Sequence, residues 1–245
     1  MGLNSWASLV TDQYERAARL YPALLAFLPM LIVLVTTSVF GKPLATQLLT
    51  LSGACGVAYL LANVSRMLGK AHEERLFVKW GGTPTTQLLR HRNEFIDPHT
   101  KERYHSFLAR KIKIDFPTRE AELESPDGAD EIYRAGVKWL LGKTRDKKRF
   151  ALLFKENVSY GFHRNGFGLR QVGGLIGLVS LVWSVIENQA YNPPTWGAMS
   201  QEDVVTMGVV FAMSVVWFAY FNEARVKQAA YAYADMLLRT CDELR

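Results

Sequence analysis

Residues 23–40 read ALLAFLPMLIVLVTTSVF, eighteen positions without a charged side chain. As a helix this run is about 27 Å long, close to the hydrocarbon thickness of a bilayer and longer than most buried globular helices. Three more uncharged apolar runs occupy 44–64, 171–186 and 204–222. Between the second and third lies a polar, basic stretch, 65–170. The pattern predicts an all-α membrane protein with four transmembrane helices, at about 23–40, 44–64, 170–187 and 204–222. A helical cytoplasmic module separates the second from the third. The expected divisions are 1–64 (an N-terminal helix and the first pair of spans), 65–170 (the module), 171–222 (the second pair) and 223–245 (a cytoplasmic C-terminal helix).

The 245 residues carry a formal net charge of +6, and mean hydropathy is near zero because apolar spans are averaged with a charged middle. Cys55 falls inside a span and Cys241 near the end, so no disulfide framework or metal spacing is implied. The first 22 residues mix Asp12 and Glu15 with Arg16 and Arg19, and the apolar run that follows is too long for a signal-peptide core. It reads as a retained span.

Charge sets the expected orientation. The stretch 65–170 holds 22 Lys and Arg against 14 Asp and Glu. The loop 187–203 holds Glu187, Glu202 and Asp203 and no base, with Tyr191 and Trp196 suited to an interfacial belt. Basic loops stay inside. The expected arrangement is therefore a membrane crossed several times, with both termini and the module cytoplasmic.

Within the spans, Pro29 removes a helix hydrogen bond, and Thr36, Thr37 and Gln47 bring polar groups into hydrocarbon. These four are the candidate pore or gate residues. The plainer alternative is that each hydroxyl bonds its own helix. Gly173, Gly177, Ser180 and Ser184 form a small-residue face fit for close helix packing. No charge lies at the centre of a span, which disfavours a transporter built on buried ionisable groups.

The module reads as helices. The second span continues through 65–79 as one helix, closed by Gly81 and Gly82. Thr83-Pro84, Asp97-Pro98 and Ser125-Pro126 are start signals, for helices at 84–93, 98–113 and 129–141. A basic amphipathic helix at 147–162 could lie on the inner leaflet or pack as an ordinary helix. After the fourth span, Val226, Ala230, Tyr233, Leu237, Thr240 and Leu244 form a short heptad seam. Its two open partners are the N-terminal helix (Trp6, Leu9, Val10, Ala17, Leu20) and other copies of the chain.

Catalytic signatures are missing: no P-loop, no dinucleotide fingerprint, no nucleophile elbow and no metal-ligand spacing. The expectation is a non-enzyme without cofactor or metal. Glu120, Glu122 and Glu124 lie in a polar segment with no apolar pocket to raise a carboxyl pKa. One segment carries more information, Trp80-Gly81-Gly82-Thr83-Pro84-Thr85-Thr86-Gln87-Leu88-Leu89-Arg90. Free amides at a helix start favour anions, and Arg90, Arg92 and Arg103 could add charge for a phosphate or a partner. The alternative is a structural elbow.

The strings W-G-G-x-P-T-T-x-x-L-R (80–90) and D-P-x-T-K-x-R-Y-H (97–105) resemble uncharacterised bacterial membrane proteins of nucleotide-triggered anti-phage defence operons. The whole layout is similar to the four-helix membrane effectors of those systems. The resemblance implies a nucleotidyltransferase-type cytosolic partner, a nucleotide or oligonucleotide trigger acting directly or through it, and a toxic output at the inner membrane. The expected function is an oligomeric pore gated through the module, a homo-oligomer with the tetramer favoured. The alternatives are a non-conducting scaffold that recruits a cytosolic partner and, third, a lipid-acting enzyme that lacks a catalytic constellation.

Overall fold

The computed structural model describes residues 3–36, 43–190, 192 and 199–244, with side chains from residue 7 onward. Thr37, Tyr191, Trp196 and the side chain of Trp6 lie outside the described residues. Among those described, every regular element is a helix. In chain order they are α1 (Leu3–Thr11), α2 (Gln13–Glu15), a π-helical turn (Arg16–Leu20), α3 (Tyr21–Leu34), α4 (Leu44–Trp80), α5 (Pro84–Leu89) and α6 (Pro98–Ile112). Then follow α7 (Arg119–Glu124), α8 (Pro126–Lys143), α9 (Ala151–Gly168), α10 (Arg170–Glu187), α11 (Gln201–Tyr220) and α12 (Glu223–Glu243).

Four helical stretches are long and apolar enough to cross a membrane: Gln13–Leu34, part of Leu44–Leu89, Arg170–Glu187 and Gln201–Tyr220. The first starts earlier than its hydropathy predicts, because the π-helical turn joins α2 to α3 without a break. The fourth also starts earlier. Ser200 caps α11 reciprocally with Asp203, each side chain serving the other's backbone N–H.

The chain forms two compact units. The first comprises Met1–His72 and Gly161–Val226, and it contains the apolar helices. Its core joins Leu9, Ala23, Ala26, Phe27, Leu61, Ala62, Leu169, Trp217 and Phe221, with Val172 and Ile176 packed against it, so all four apolar stretches contribute. Asn165, fully buried, donates from Nδ2 to the Ala18 carbonyl inside the π-helical turn at 2.6 Å. That bond satisfies a carbonyl in a turn where the usual helical pairing is shifted. Elsewhere the unit exposes large apolar side chains such as Leu48, Leu49, Leu178, Trp183, Val205 and Phe211. A surface this apolar calls for cover by hydrocarbon or protein rather than water.

The second unit comprises Glu73–Tyr160 and Lys227–Arg245. Its core packs Leu88, Leu89, Tyr104, Phe107, Leu108, Tyr133, Leu140, Phe150 and Leu153 around Ala234, Leu237, Leu238 and Cys241 of α12. The heptad-like seam of the C-terminal helix thus closes this core. Its apolar stripe is wide enough to be an ordinary core face. Phe150 and Leu153 also turn into this core, and residues 147–150 form a turn, so the basic helix begins only at Ala151. The helix after Pro84 stops at Leu89 instead of running to 93, because Arg90 is extended (ψ 138°). The second unit also holds a helix not foreseen, α7, capped by the Thr118 hydroxyl, which accepts from the Ala121 N–H.

Candidate functional site

The last turn of α4 is closed by two glycines in the left-handed region, Gly81 at φ +82° and Gly82 at φ +127°. The Gly82 N–H donates to the Phe77 carbonyl at 2.8 Å and the Gly81 N–H to that of Val78 at 3.1 Å. This pair of bonds is the Schellman pattern, which satisfies carbonyls a helix end would otherwise leave open. Thr83 begins α5 without capping it by its side chain. Its hydroxyl instead pairs with those of Thr86 at 2.9 Å and Thr85 at 3.3 Å. Trp80 meets Phe77 ring to ring at 6.0 Å.

A buried amide then ties the elbow to the C-terminal helix. Gln87 donates from Nε2 to the Gly82 carbonyl at 2.6 Å and accepts at Oε1 from the Tyr231 hydroxyl at 2.7 Å. Arg90 reaches α8, where its Nε and Nη2 donate to the two carboxylate oxygens of Asp130 at 2.8 and 2.5 Å. This bidentate pair holds the Arg90 guanidinium above its ordinary pKa. Arg103 makes a similar fork to Asp242 of α12, but at the surface. Arg92 alone of the three arginines faces a cleft of about 300 Å³, which it shares with Lys101, Glu94, Glu102 and Arg119.

Behind Arg90 lies a cluster that the sequence did not reveal. Glu122, from α7, is buried, and its Oε2 accepts both the His91 N–H at 2.8 Å and the Tyr133 hydroxyl at 2.7 Å. The expectation of a Glu122 with no apolar surroundings is therefore corrected: residues 113–118 lead into α7, which turns it inward against the tyrosine. Lys101 is buried with its Nζ on the Arg90 and Asn93 carbonyls, and burial lowers its pKa. His105 is bonded through Nε2 to the Leu89 carbonyl at 2.8 Å, with its ring 4.9 Å from that of His91. Burial pushes the imidazole down to about 4, so it is neutral at pH 7. Tyr133 is raised, first by burial and then by its bond to Glu122.

Chemically, these groups are engaged with one another. Arg90 holds Asp130, Glu122 holds a backbone amide and a phenol, and Lys101 holds two carbonyls. Pro117 and Thr118, just before an acid-rich segment, are the start signal for α7. The partners of Glu122 lie 31 and 11 residues away, and no local pattern encodes them.

The candidates in the apolar unit fall differently. Gly173, Gly177, Ser180 and Ser184 are all buried. A Cβ on Gly173 would meet the Trp217 indole at 2.5 Å, and one on Gly177 would meet Ser214 Oγ at 2.4 Å. The Trp217 indole N–H donates to the Arg170 carbonyl at 3.0 Å, which fixes the crossing of α10 and α11. Pro29 is buried inside α3. Thr36 gives its hydroxyl to the carbonyls of Ile32 and Val33, the back-bonding that leaves little for a pore. Gln47 is half-buried on α4, and Thr37 lies outside the described residues.

Among the described residues no group of three or more His, Cys, Asp or Glu could hold a metal ion. No protein-family model matches the chain, and neither a curated protein nor a solved structure is significantly similar to it.

Proposed function

We propose that the chain is a multi-pass protein of a bacterial inner membrane which assembles as a homo-oligomer, tetramer favoured, and forms a pore gated through its polar unit. In this reading residues 65–170 face the cytosol, as their excess of Lys and Arg favours, and four spans then place both termini on the same side. The observation that carries the reading is the continuity of α4, 37 residues from an apolar half to a charged half without a break. A continuous helix moves as a stiff rod, so a displacement at its glycine-closed end reaches the apolar end. The locked cluster around Arg90, Glu122 and Lys101 gives that end a firm anchor. A nucleotide-triggered partner, as the defence-effector resemblance implies, would act on this anchor. Internal engagement of the titratable groups favours a role without catalysis.

The test is leakage from vesicles containing the purified full chain. Entrapped dye should escape, and the rate should change when the partner or its nucleotide product is added. Vesicles that stay tight under both conditions would contradict the pore.

A second reading, a non-conducting scaffold, is favoured by exposed apolar side chains on the polar unit, Val78, Phe95, Leu123 and Leu152, each more than 60% exposed. Such residues suit a protein partner. Capture of the partner by tight vesicles would establish the scaffold in place of the pore.

A further inference from the structure

Two hollows in the polar unit share one wall. The first, the cleft of about 300 Å³ at Arg92, is also lined by Glu94 and Lys101. The second, about 350 Å³, is lined by His105, Ser106, Asp115 and Phe116. His91, Glu102 and Arg119 line both, so the two hollows form one groove open to solvent. Each reaches the size of a small-molecule site, roughly 300–1,000 Å³.

The two ends differ in chemistry. At the first, the buried Lys101 ammonium gives two of its three N–H bonds to the Arg90 and Asn93 carbonyls, which leaves one over. Arg92 and Arg119 are exposed, and none of the described ion pairs takes them up. Glu94 acts on Lys101, but the three bases outnumber it. The second end offers acceptors and rings. His91 Nε2 donates to the Pro117 carbonyl at 2.9 Å and His105 Nε2 to that of Leu89 at 2.8 Å, so Nδ1 of each neutral ring is an acceptor. Burial keeps His105 neutral at pH 7. Glu102 and Asp115 add exposed carboxylates. The His105 ring stands 4.9 Å from that of His91 and 5.1 Å from that of Phe116, a run of three rings in one wall.

We propose that this groove binds a guanine nucleotide, with its phosphate at Arg92, Lys101 and Arg119 and its base against His91 and Phe116. The groove asks for an anion at one end and a flat ring bearing N–H donors at the other, and a nucleotide carries both. Stacking on rings tolerates any base, so the carboxylates set the choice. Among the common bases only guanine has two neighbouring N–H donors on one edge, N1–H and N2–H, which match the paired oxygens of a carboxylate such as Asp115. The inference deepens the gating reading, because His91 and Lys101 belong to the cluster behind Arg90, and it rests on that reading only for its purpose. Binding is read without conductance, so its failure and that of the pore are distinguishable.

The experiment is calorimetric titration of the full chain in neutral detergent with guanosine 5′-monophosphate, adenosine 5′-monophosphate, guanosine or inorganic phosphate. The guanine nucleotide should bind saturably at one site per chain, and the other three at least about tenfold more weakly, as expected when one charge-assisted contact or pair of contacts is lost. Arg92→Gln should weaken the guanine nucleotide about tenfold and leave guanosine unchanged. Asp115→Asn should weaken the guanine nucleotide and narrow its lead over the adenine one. Lys138→Gln, a surface charge outside the groove, should change nothing. Should Arg92→Gln fail to fold, Arg119→Gln takes its place with the same expected loss. No saturable binding, phosphate or the adenine nucleotide binding as tightly as the guanine nucleotide, or unaltered titrations in the arginine and Asp115 variants would overturn the proposal.

Discussion

The side chains around Arg90 show how burial turns polar residues into fixings. His105 is nearly inaccessible, and its imidazole titrates near 4, against about 6.5 in an unfolded chain. Because the folded value is the lower one, protons bind the unfolded chain more readily. Stability is complete above about pH 6.5 and is lost as pH falls toward 4, by about 3 kcal/mol for this residue. His105→Gln should flatten that part of the stability–pH curve, measured by urea unfolding from pH 7.5 to 4.5. An unchanged slope would mean that His105 titrates alike in the folded and unfolded chain, against the burial argument. Arg90→Ala would leave Asp130 unpaired and should cost about 2–3 kcal/mol. Adding Asp130→Ala should then cost less than its own single effect, and a strictly additive double variant would rule out the coupling. From the sequence, Arg90 was legible as a residue of consequence. Its partner was not, because Asp130 sits 40 residues away on another helix.

At the scale of elements, the sequence reads best where the chemistry is local. The uninterrupted α4, the glycines that end it and the Asp97-Pro98 start of α6 all follow from patterns within a few residues. Asp97 accepts the Thr100 N–H as a cap should. Boundaries moved where a tertiary bond decided them, as at Arg90, and α7 escaped notice because six residues carry too little periodicity. Gly82→Ala should be the costlier of the elbow substitutions. It places a Cβ at φ +127° and 3.0 Å from Arg90 Nη2, so a loss of about 2 kcal/mol or more is expected in thermal unfolding. The crossing of α10 and α11 offers a sharper contrast. A Cβ on Gly174 falls 2.1 Å from Phe218, whereas one on Gly208 meets nothing within 4 Å. Gly174→Ala should therefore lower the unfolding temperature in detergent and Gly208→Ala should not. Equal effects would show that this pair of helices does not rely on close approach.

For the whole molecule, the four apolar stretches and the basic balance of residues 65–170 were open to reading from one chain, since length and charge are sums over residues. The grouping of the C-terminal helix with the polar unit was not, because an apolar stripe specifies that a face is covered and leaves its cover unspecified. The account stands or falls on whether the assembled chain passes ions. Planar bilayers containing the purified full-length protein measure this directly. Discrete current steps that appear with the protein, and whose open probability shifts when the nucleotide-triggered partner is added, are the predicted result. Bilayers that remain silent while the same preparation binds that partner would contradict it.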